Sequence, residues 1–260
     1  MTTPIPMPVV IDGFDELIER VRRLLDRLHR GVNQVIDNAS RSARWLPGVL
    51  AGRIVELRER FVDLCQRFFD EVLRLLGMCG KPWRLWAAGT AWVEGFSGPI
   101  SGHVGEMDPV HLAAAYEWDG RAAGAYEDTT ARQREALSAL QLIGTETHSA
   151  LGNVAVAICA LWATVAAAML VAAAEIIAAG IAAASIAGVA GAVAFAFGAI
   201  GSVLAGISAG IAAFMLVAER ANDAMVTLQQ RLNDRSGVGD GWPGAAGERF
   251  RDGERWKLAE

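Results

Sequence analysis

The stretch from Ser149 to Ala218 constrains the fold more than any other, because Glu175 is its only charged side chain. Ala, Gly, Ile and Val dominate the stretch. A membrane-spanning helix needs about 20 apolar residues, so the run is long enough for two generous crossings or three short ones. A water-soluble domain would normally interrupt such a run with polar surface positions. The run therefore predicts a transmembrane or membrane-inserting helical hairpin.

The bend of this hairpin is expected between Ser185 and Gly191, which leaves about 30 residues on each side, enough to span a bilayer with tilt. Small residues recur every four positions, a spacing that lets helix backbones approach closely in lipid. The predicted packing residues are Gly180, Ala184, Gly188, Ser202, Gly206 and Gly210. An intramembrane carboxylate such as Glu175 marks an ion path or an oligomer contact by default. Without a basic partner in the run, we favour a position near the end of its helix, where it reaches interfacial water.

Arginines flank the apolar run on both sides, at Arg132 and Arg134 before it and at Arg220, Arg231 and Arg235 after it. Positive charge marks cytoplasmic flanks, so the pattern predicts a cell-membrane protein with two crossings and both ends cytoplasmic. The N-terminus lacks the basic start and apolar core of a secretory signal. Export would therefore need a route without a cleaved signal peptide.

The composition favours an all-α fold of long antiparallel helical hairpins, since 53% of residues are hydrophobic but only 7% are aromatic. The net charge of −5 argues against nucleic acid as a partner, because such binders show a basic stripe. Three cysteines without paired spacing predict no disulfide framework.

Two amphipathic helices precede the hairpin. Prolines make residues 1–12 a flexible lead, and residues 13–80 are expected to form an antiparallel helical arm. In the first helix apolar residues alternate four and three apart: Phe14, Ile18, Val21, Leu25, Leu28, Val32, Val35 and Ala39. In the second helix the stripe is Leu50, Ile54, Leu57, Phe61, Leu64, Phe68, Val72 and Leu75. The arm is interpreted as a solvated coiled coil, with a partner-binding groove as the alternative.

Residues 81–148 are predicted to be a further helical unit, in which Trp83, Trp86 and Trp92 pack into a core. The segment 97–112 indicates a loop or broken helix, and Asp108 before Pro109 predicts a capped helix start. After the hairpin of residues 149–218, an exit helix is expected over residues 219–235. Residues 236–260 are Gly-rich and polar and predict a disordered tail.

A Trp-x-Gly turn, small residues, an aromatic residue and a polar helix follow one another in residues 118–137. The matching residues are Trp118, Gly120, Ala122, Ala123, Tyr126, Gln133, Ala136 and Leu137. This pattern resembles the WXG-motif (Esx-like) proteins of actinobacterial type VII secretion. The resemblance covers residues 83–148 and implies a helical hairpin that bends at Trp-x-Gly, has no enzymatic activity or cofactor, and pairs with itself or with other WXG-like helical proteins. Trp118, Gly120 and Tyr126 would then form the bend and its partner surface. The chain departs from the family in its length, its arm and its apolar run.

Motifs for catalysis or metal binding are weak. The segment Gly206–Gly210 matches G-x-S-x-G, but that motif needs a strand-to-helix turn and here lies in helical sequence. His103, Glu106, Asp108 and His111 lack the spacing of a metal site and are expected to be solvated. No cofactor or metal site is predicted.

Two functions follow from these patterns. The first is a non-enzymatic, type VII secretion-associated membrane protein that acts through helix–helix contacts. The alternative is an α-helical pore-forming protein or effector that inserts its hairpin into a target membrane. In that alternative, the amphipathic helices 14–46 and 50–76 cover the hairpin until insertion.

Overall fold

The computed structural model describes residues 5–112, 117, 119–185, 188–233 and 241–243. In these residues the regular secondary structure is entirely helical, which confirms the all-α class. The α-helices are α1 (Val9–Asp12), α2 (Phe14–Ala43), α3 (Gly48–Gly77), α4 (Pro82–Trp92), α5 (Gly98–Glu106), α6 (Arg121–Ala182) and α7 (Val189–Asn233). A π-helical turn, Val93–Ser97, precedes α5, and a 3-10 turn, Pro109–His111, follows it.

The helices group into two compact units. One contains Met7–Trp83 and Val154–Ala218, and the other contains the described residues of Met1–Pro6, Arg84–Asn153 and Glu219–Glu260. The predicted arm and most of the predicted apolar hairpin thus lie in the same unit. The long helices α6 and α7 each contribute to both units.

The arm is an antiparallel pair. The chain turns after Ala43, where the predicted breaker Pro47 precedes the first residue of α3. His29 of α2 contacts Phe69 of α3, and Arg58 donates a hydrogen bond to Ser40 near the turn. Most of the predicted α2 seam is buried, except that Leu24 is buried where Leu25 is only half-buried.

The stripe of α3 is narrower than predicted. Ile54, Phe61, Phe68 and Val72 are buried, and Cys65 joins them. Leu50 is exposed, because it lies in the first turn of α3 beside the chain reversal. The remaining predicted members of the stripe, Leu57, Leu64 and Leu75, are half-buried.

The N-terminal lead differs from the prediction of a flexible segment. Residues Val9–Asp12 form α1, and Ile11 is buried. Pro8 lies at the N-cap, where the missing N–H of proline removes no helical hydrogen bond. The prolines therefore precede the helix rather than interrupt it.

The second unit contains the tryptophan-rich segment. Trp86 lies half-buried against His148 of α6, with ring centroids 5.1 Å apart. Trp83 belongs to the first unit and is half-buried against Phe14. Trp92 is 43% exposed and contacts only the ring of Phe96 among described aromatic residues, so the prediction of core packing was wrong for Trp92. Its position at the end of α4, next to the π-helical turn, leaves the ring at the surface.

Candidate membrane-inserting hairpin

Helices α6 and α7 are both long and apolar enough to cross a membrane. In the most apolar stretch of each, 33% of the residues of α6 and 17% of those of α7 are buried. The core helices of soluble proteins are mostly buried, whereas most residues of these two stretches are not. Large apolar side chains are exposed along both helices: Val156, Leu170, Val171, Ile181, Phe195, Phe197, Met215 and Leu216.

The two helices pack against each other as an antiparallel pair through small residues. A Cβ atom added at Gly206 would lie 3.5 Å from Ala168, and one at Gly210 would lie 3.0 Å from Leu161. The contact at Gly206 would be an ordinary van der Waals distance, and the one at Gly210 would require the end of the Leu161 side chain to shift slightly. Ser202 is instead exposed, and its hydroxyl donates to the Gly198 carbonyl of its own helix.

The other small-residue triplet does not form a stripe between the two helices. A Cβ at Gly180 would lie 3.4 Å from Gln34 of α2, so this glycine serves the contact with the arm. Ala184 is exposed in the turn after α6. A Cβ at Gly188 would lie 2.5 Å from the Ala182 carbonyl oxygen, which makes Gly188 a turn glycine. The triplet spans the bend, and for that reason its members face different partners.

Glu175 lies half-buried about two turns before the end of α6. Its position toward the bend is the one expected for a carboxylate near the distal end of its helix. No side chain in the described part of the chain forms an ion pair with it.

Helix α2 lies beside α6 and runs in the same direction, because successively later residues of α2 meet successively later residues of α6. A Cβ at Gly31 would lie 2.7 Å from Cγ2 of Ile176. Further along, Nδ2 of Asn38 donates to the Gly180 carbonyl at 2.9 Å, and Oγ of Ser42 donates to the Ala183 carbonyl at 3.0 Å. The arm therefore covers one side of the hairpin up to its tip.

The opposite face of α2 is strongly charged. Its exposed arginines are Arg20, Arg22, Arg23, Arg27, Arg30 and Arg41. A salt bridge joins Arg22 to Glu19 on the same face. The covered side of the hairpin thus meets an amphipathic helix whose other side requires water.

Sequence reasoning missed Gly31, Asn38 and Ser42, which make the contact between arm and hairpin. A signal was present in the sequence: Leu24, Gly31 and Asn38 are seven residues apart, a spacing that places them on one face of a helix. That face lies beside the predicted apolar seam of α2. Because it carries a glycine and an amide among its residues, the spacing of apolar residues did not indicate it.

The residues of the Trp-x-Gly pattern are only partly described. Trp118 lies outside the described residues. Gly120 has φ of +94°, a backbone conformation that favours glycine, and α6 begins at the next residue. Tyr126 is 37% exposed on the first turns of α6.

The weaker motifs gain no support as sites. The described residues contain no group of three or more His, Cys, Asp or Glu side chains that could hold a metal ion. His103 pairs with Glu106 at the surface, while Asp108 caps the 3-10 turn by accepting from the Val110 amide. Ser208 lies within α7 and donates to the Leu204 carbonyl, so it does not occupy the turn that a nucleophile elbow requires.

Most of the predicted tail, residues 236–260, also lies outside the described residues. Within the described part, Gln133 of α6 donates a hydrogen bond to the carbonyl of Pro243. Comparison of the chain with protein-family models, curated proteins and solved structures found no match.

Proposed function

We propose that this protein is a non-enzymatic, membrane-inserting helical protein that places the hairpin of α6 and α7 into a lipid bilayer and permeabilises it. The observation that carries the proposal is the one-sided cover: α2 hydrogen-bonds to the hairpin tip, while large apolar side chains such as Leu170 and Phe195 are exposed on the hairpin. The exposed face favours lipid, and the cover is amphipathic.

The charge on α2 requires that this helix, which covers one side of the hairpin, stay outside the bilayer when the hairpin inserts. An arginine at the bilayer centre costs about 2.5–3.5 kcal/mol on the insertion scale, and α2 exposes five arginines between residues 20 and 30. A hairpin crosses a bilayer with its tip leading, and Asn38 and Ser42 bind that tip. Either α2 separates from α6, or the hairpin does not cross. The described arrangement therefore supports a covered state that precedes insertion.

In the inserted state, the two helices would cross the membrane twice and leave both ends on one side. Arg132 and Arg134 before the apolar run, and Arg220 and Arg231 after it, favour the cytoplasmic side of a cell membrane for both ends. The bilayer is the partner in this proposal, together with further copies of the chain where a pore forms.

The test begins with the full chain purified without detergent. We expect a dispersed protein that releases dye from liposomes and then floats with them. Phe195→Arg, at an exposed position of the apolar run, should keep the fold and abolish release. Met225→Arg is the matched control, since it lies at a similarly exposed position on α7 beyond the run. Obligate membrane partition on expression, or equal release by both variants, would contradict the proposal.

A second candidate function is the one implied by the WXG resemblance, a type VII secretion-associated membrane protein that contacts partner helical proteins. The positive φ of Gly120, directly before α6, favours it, because tight turns use glycine in this conformation. In this case, Trp118→Ala should weaken co-purification with a neighbouring helical partner. Unchanged co-purification would count against it.

A further inference from the structure

We infer that Asn38 and Ser42 form a latch that holds the hairpin tip and sets how fast the hairpin is released. This inference rests on the proposed membrane insertion. It goes further by assigning the autoinhibitory contact to two side chains.

The latch acts on the carboxyl end of α6. The last carbonyl groups of an α-helix lack intrahelical partners, and here each of those from Ala179 to Ala183 has one. Ala179 accepts from the Ala183 amide, Ile181 from the Ala184 amide, and Ala182 from the Ser185 amide. The remaining two carbonyls, those of Gly180 and Ala183, accept from Asn38 and Ser42 of α2. The arm thus completes the capping of α6.

The tightened last turn explains why an outside donor is needed at Gly180. The Ala184 amide donates to Ile181, three residues back, rather than to Gly180, four residues back. That leaves the Gly180 carbonyl available to Nδ2 of Asn38. Gln34 of α2 also lies beside this residue, since a Cβ added at Gly180 would be 3.4 Å from Cδ of Gln34, an ordinary van der Waals distance. Helix α2 therefore meets α6 at Gly180 through both a hydrogen bond and a packing contact.

The latch has opposite effects in the two states. In the covered state, the buried hydroxyl of Ser42 and the partly buried amide of Asn38 satisfy carbonyls that would otherwise lack partners. During insertion, the same carbonyls must leave these donors and pass through hydrocarbon, where unsatisfied backbone groups are costly. They regain partners when the tip reaches water on the far side. The contact consequently raises the barrier to release.

Alanine variants of the full-length protein test the latch. Each net hydrogen bond contributes modestly to a folded state, and the exponential dependence of rate on barrier height predicts dye release about tenfold faster for Asn38→Ala with Ser42→Ala. Two matched controls lie on the same helix. Asn33→Ala removes an exposed amide, and Ser40→Ala removes a hydroxyl that bonds to Ile36 and Arg58 instead of α6.

The readouts are the rate of dye release and the far-UV circular dichroism of each variant. If the double variant does not fold, the single variants Asn38→Ala and Ser42→Ala are compared with the controls instead. Faster release by the latch variants, with both controls at the wild-type rate, supports the latch. Release at the wild-type rate by folded latch variants overturns the latch and leaves the proposed function intact. Absence of release by the wild-type protein itself overturns the proposed function and the latch with it.

Discussion

Replacing Gly31 with alanine perturbs a close contact between α2 and α6. The new Cβ would be 2.7 Å from Cγ2 of Ile176, closer than non-bonded carbon atoms approach. Ile176 is fully buried, and a β-branched side chain in a helix has one strongly preferred rotamer. The strain must therefore be relieved by moving the two helices apart.

The expected magnitude combines two opposing terms. Overpacking of a filled contact costs about 1–3 kcal/mol, whereas alanine in a helix is about 0.5–1 kcal/mol more favourable than glycine. The net effect should be a loss of up to about 2.5 kcal/mol. Gly52→Ala in α3 is the matched control, because nothing lies within 4 Å of its Cβ position. That variant should gain about 0.5–1 kcal/mol from helix propensity alone.

Urea unfolding followed by circular dichroism measures both variants, and dye release measures the effect on insertion. We expect Gly31→Ala to lower the unfolding midpoint and to speed release by about fivefold per kcal/mol lost. Combining it with Ile176→Leu, which removes Cγ2, should recover part of the loss. If Gly31→Ala stabilises the protein as much as Gly52→Ala does, α2 does not contact α6 at this point. The covering of the hairpin by α2 would then be contradicted.

Two further predictions concern other parts of the chain. Burial raises the pKa of the Cys65 thiol to about 12, whereas the pKa in the unfolded state is about 8.5–9. The folded state therefore holds this proton more tightly than the unfolded state. The stability that the protonated thiol contributes is present below pH 9 and is lost as the pH rises toward 12. From pH 7 to pH 10 the protein should lose on the order of 1 kcal/mol relative to Cys65→Ala, measured by urea unfolding, and an unchanged difference would contradict burial of the thiol. Gly120→Ala should cost about 1–2 kcal/mol because φ is +94°, whereas Gly124→Ala, in α6 with open space around it, should be neutral or stabilising in the same assay; equal effects would contradict the bend.

The helices were predictable from the sequence wherever the spacing of apolar residues matches the residues that are buried in the structure. The seam from Phe14 to Ala39 and the breaker at Pro47 depend on spacing and on proline chemistry, both of which are local properties. The apolar run was equally clear, because a single charge in so long a stretch is visible without any structure. The small-residue spacing predicted helix contacts, and two of the six predicted residues, Gly206 and Gly210, lie beside Ala168 and Leu161 of α6.

The partners of the helices were harder to predict, since contacts between distant segments leave little trace in local spacing. Gly180 fits a small-residue stripe, yet in the structure it lies beside Gln34 of α2, a residue far from it in the chain. In the sequence alone, Asn38 and Ser42 are indistinguishable from ordinary polar residues on an amphipathic helix. Their role becomes visible only when the carboxyl end of α6 is placed beside them.

A disulfide between α2 and α6 tests the release of the hairpin most directly. The Cβ position at Gly31 lies 3.7 Å from Cβ of Ile176, within the range of about 3.5–4.5 Å found in disulfides. The measurement compares dye release by the oxidised and reduced forms of Gly31→Cys with Ile176→Cys, in a background with Cys65, Cys79 and Cys159 replaced by alanine. We predict that the oxidised form releases no dye and that reduction restores release. Equal release by the oxidised and reduced forms would contradict a hairpin that must leave its cover.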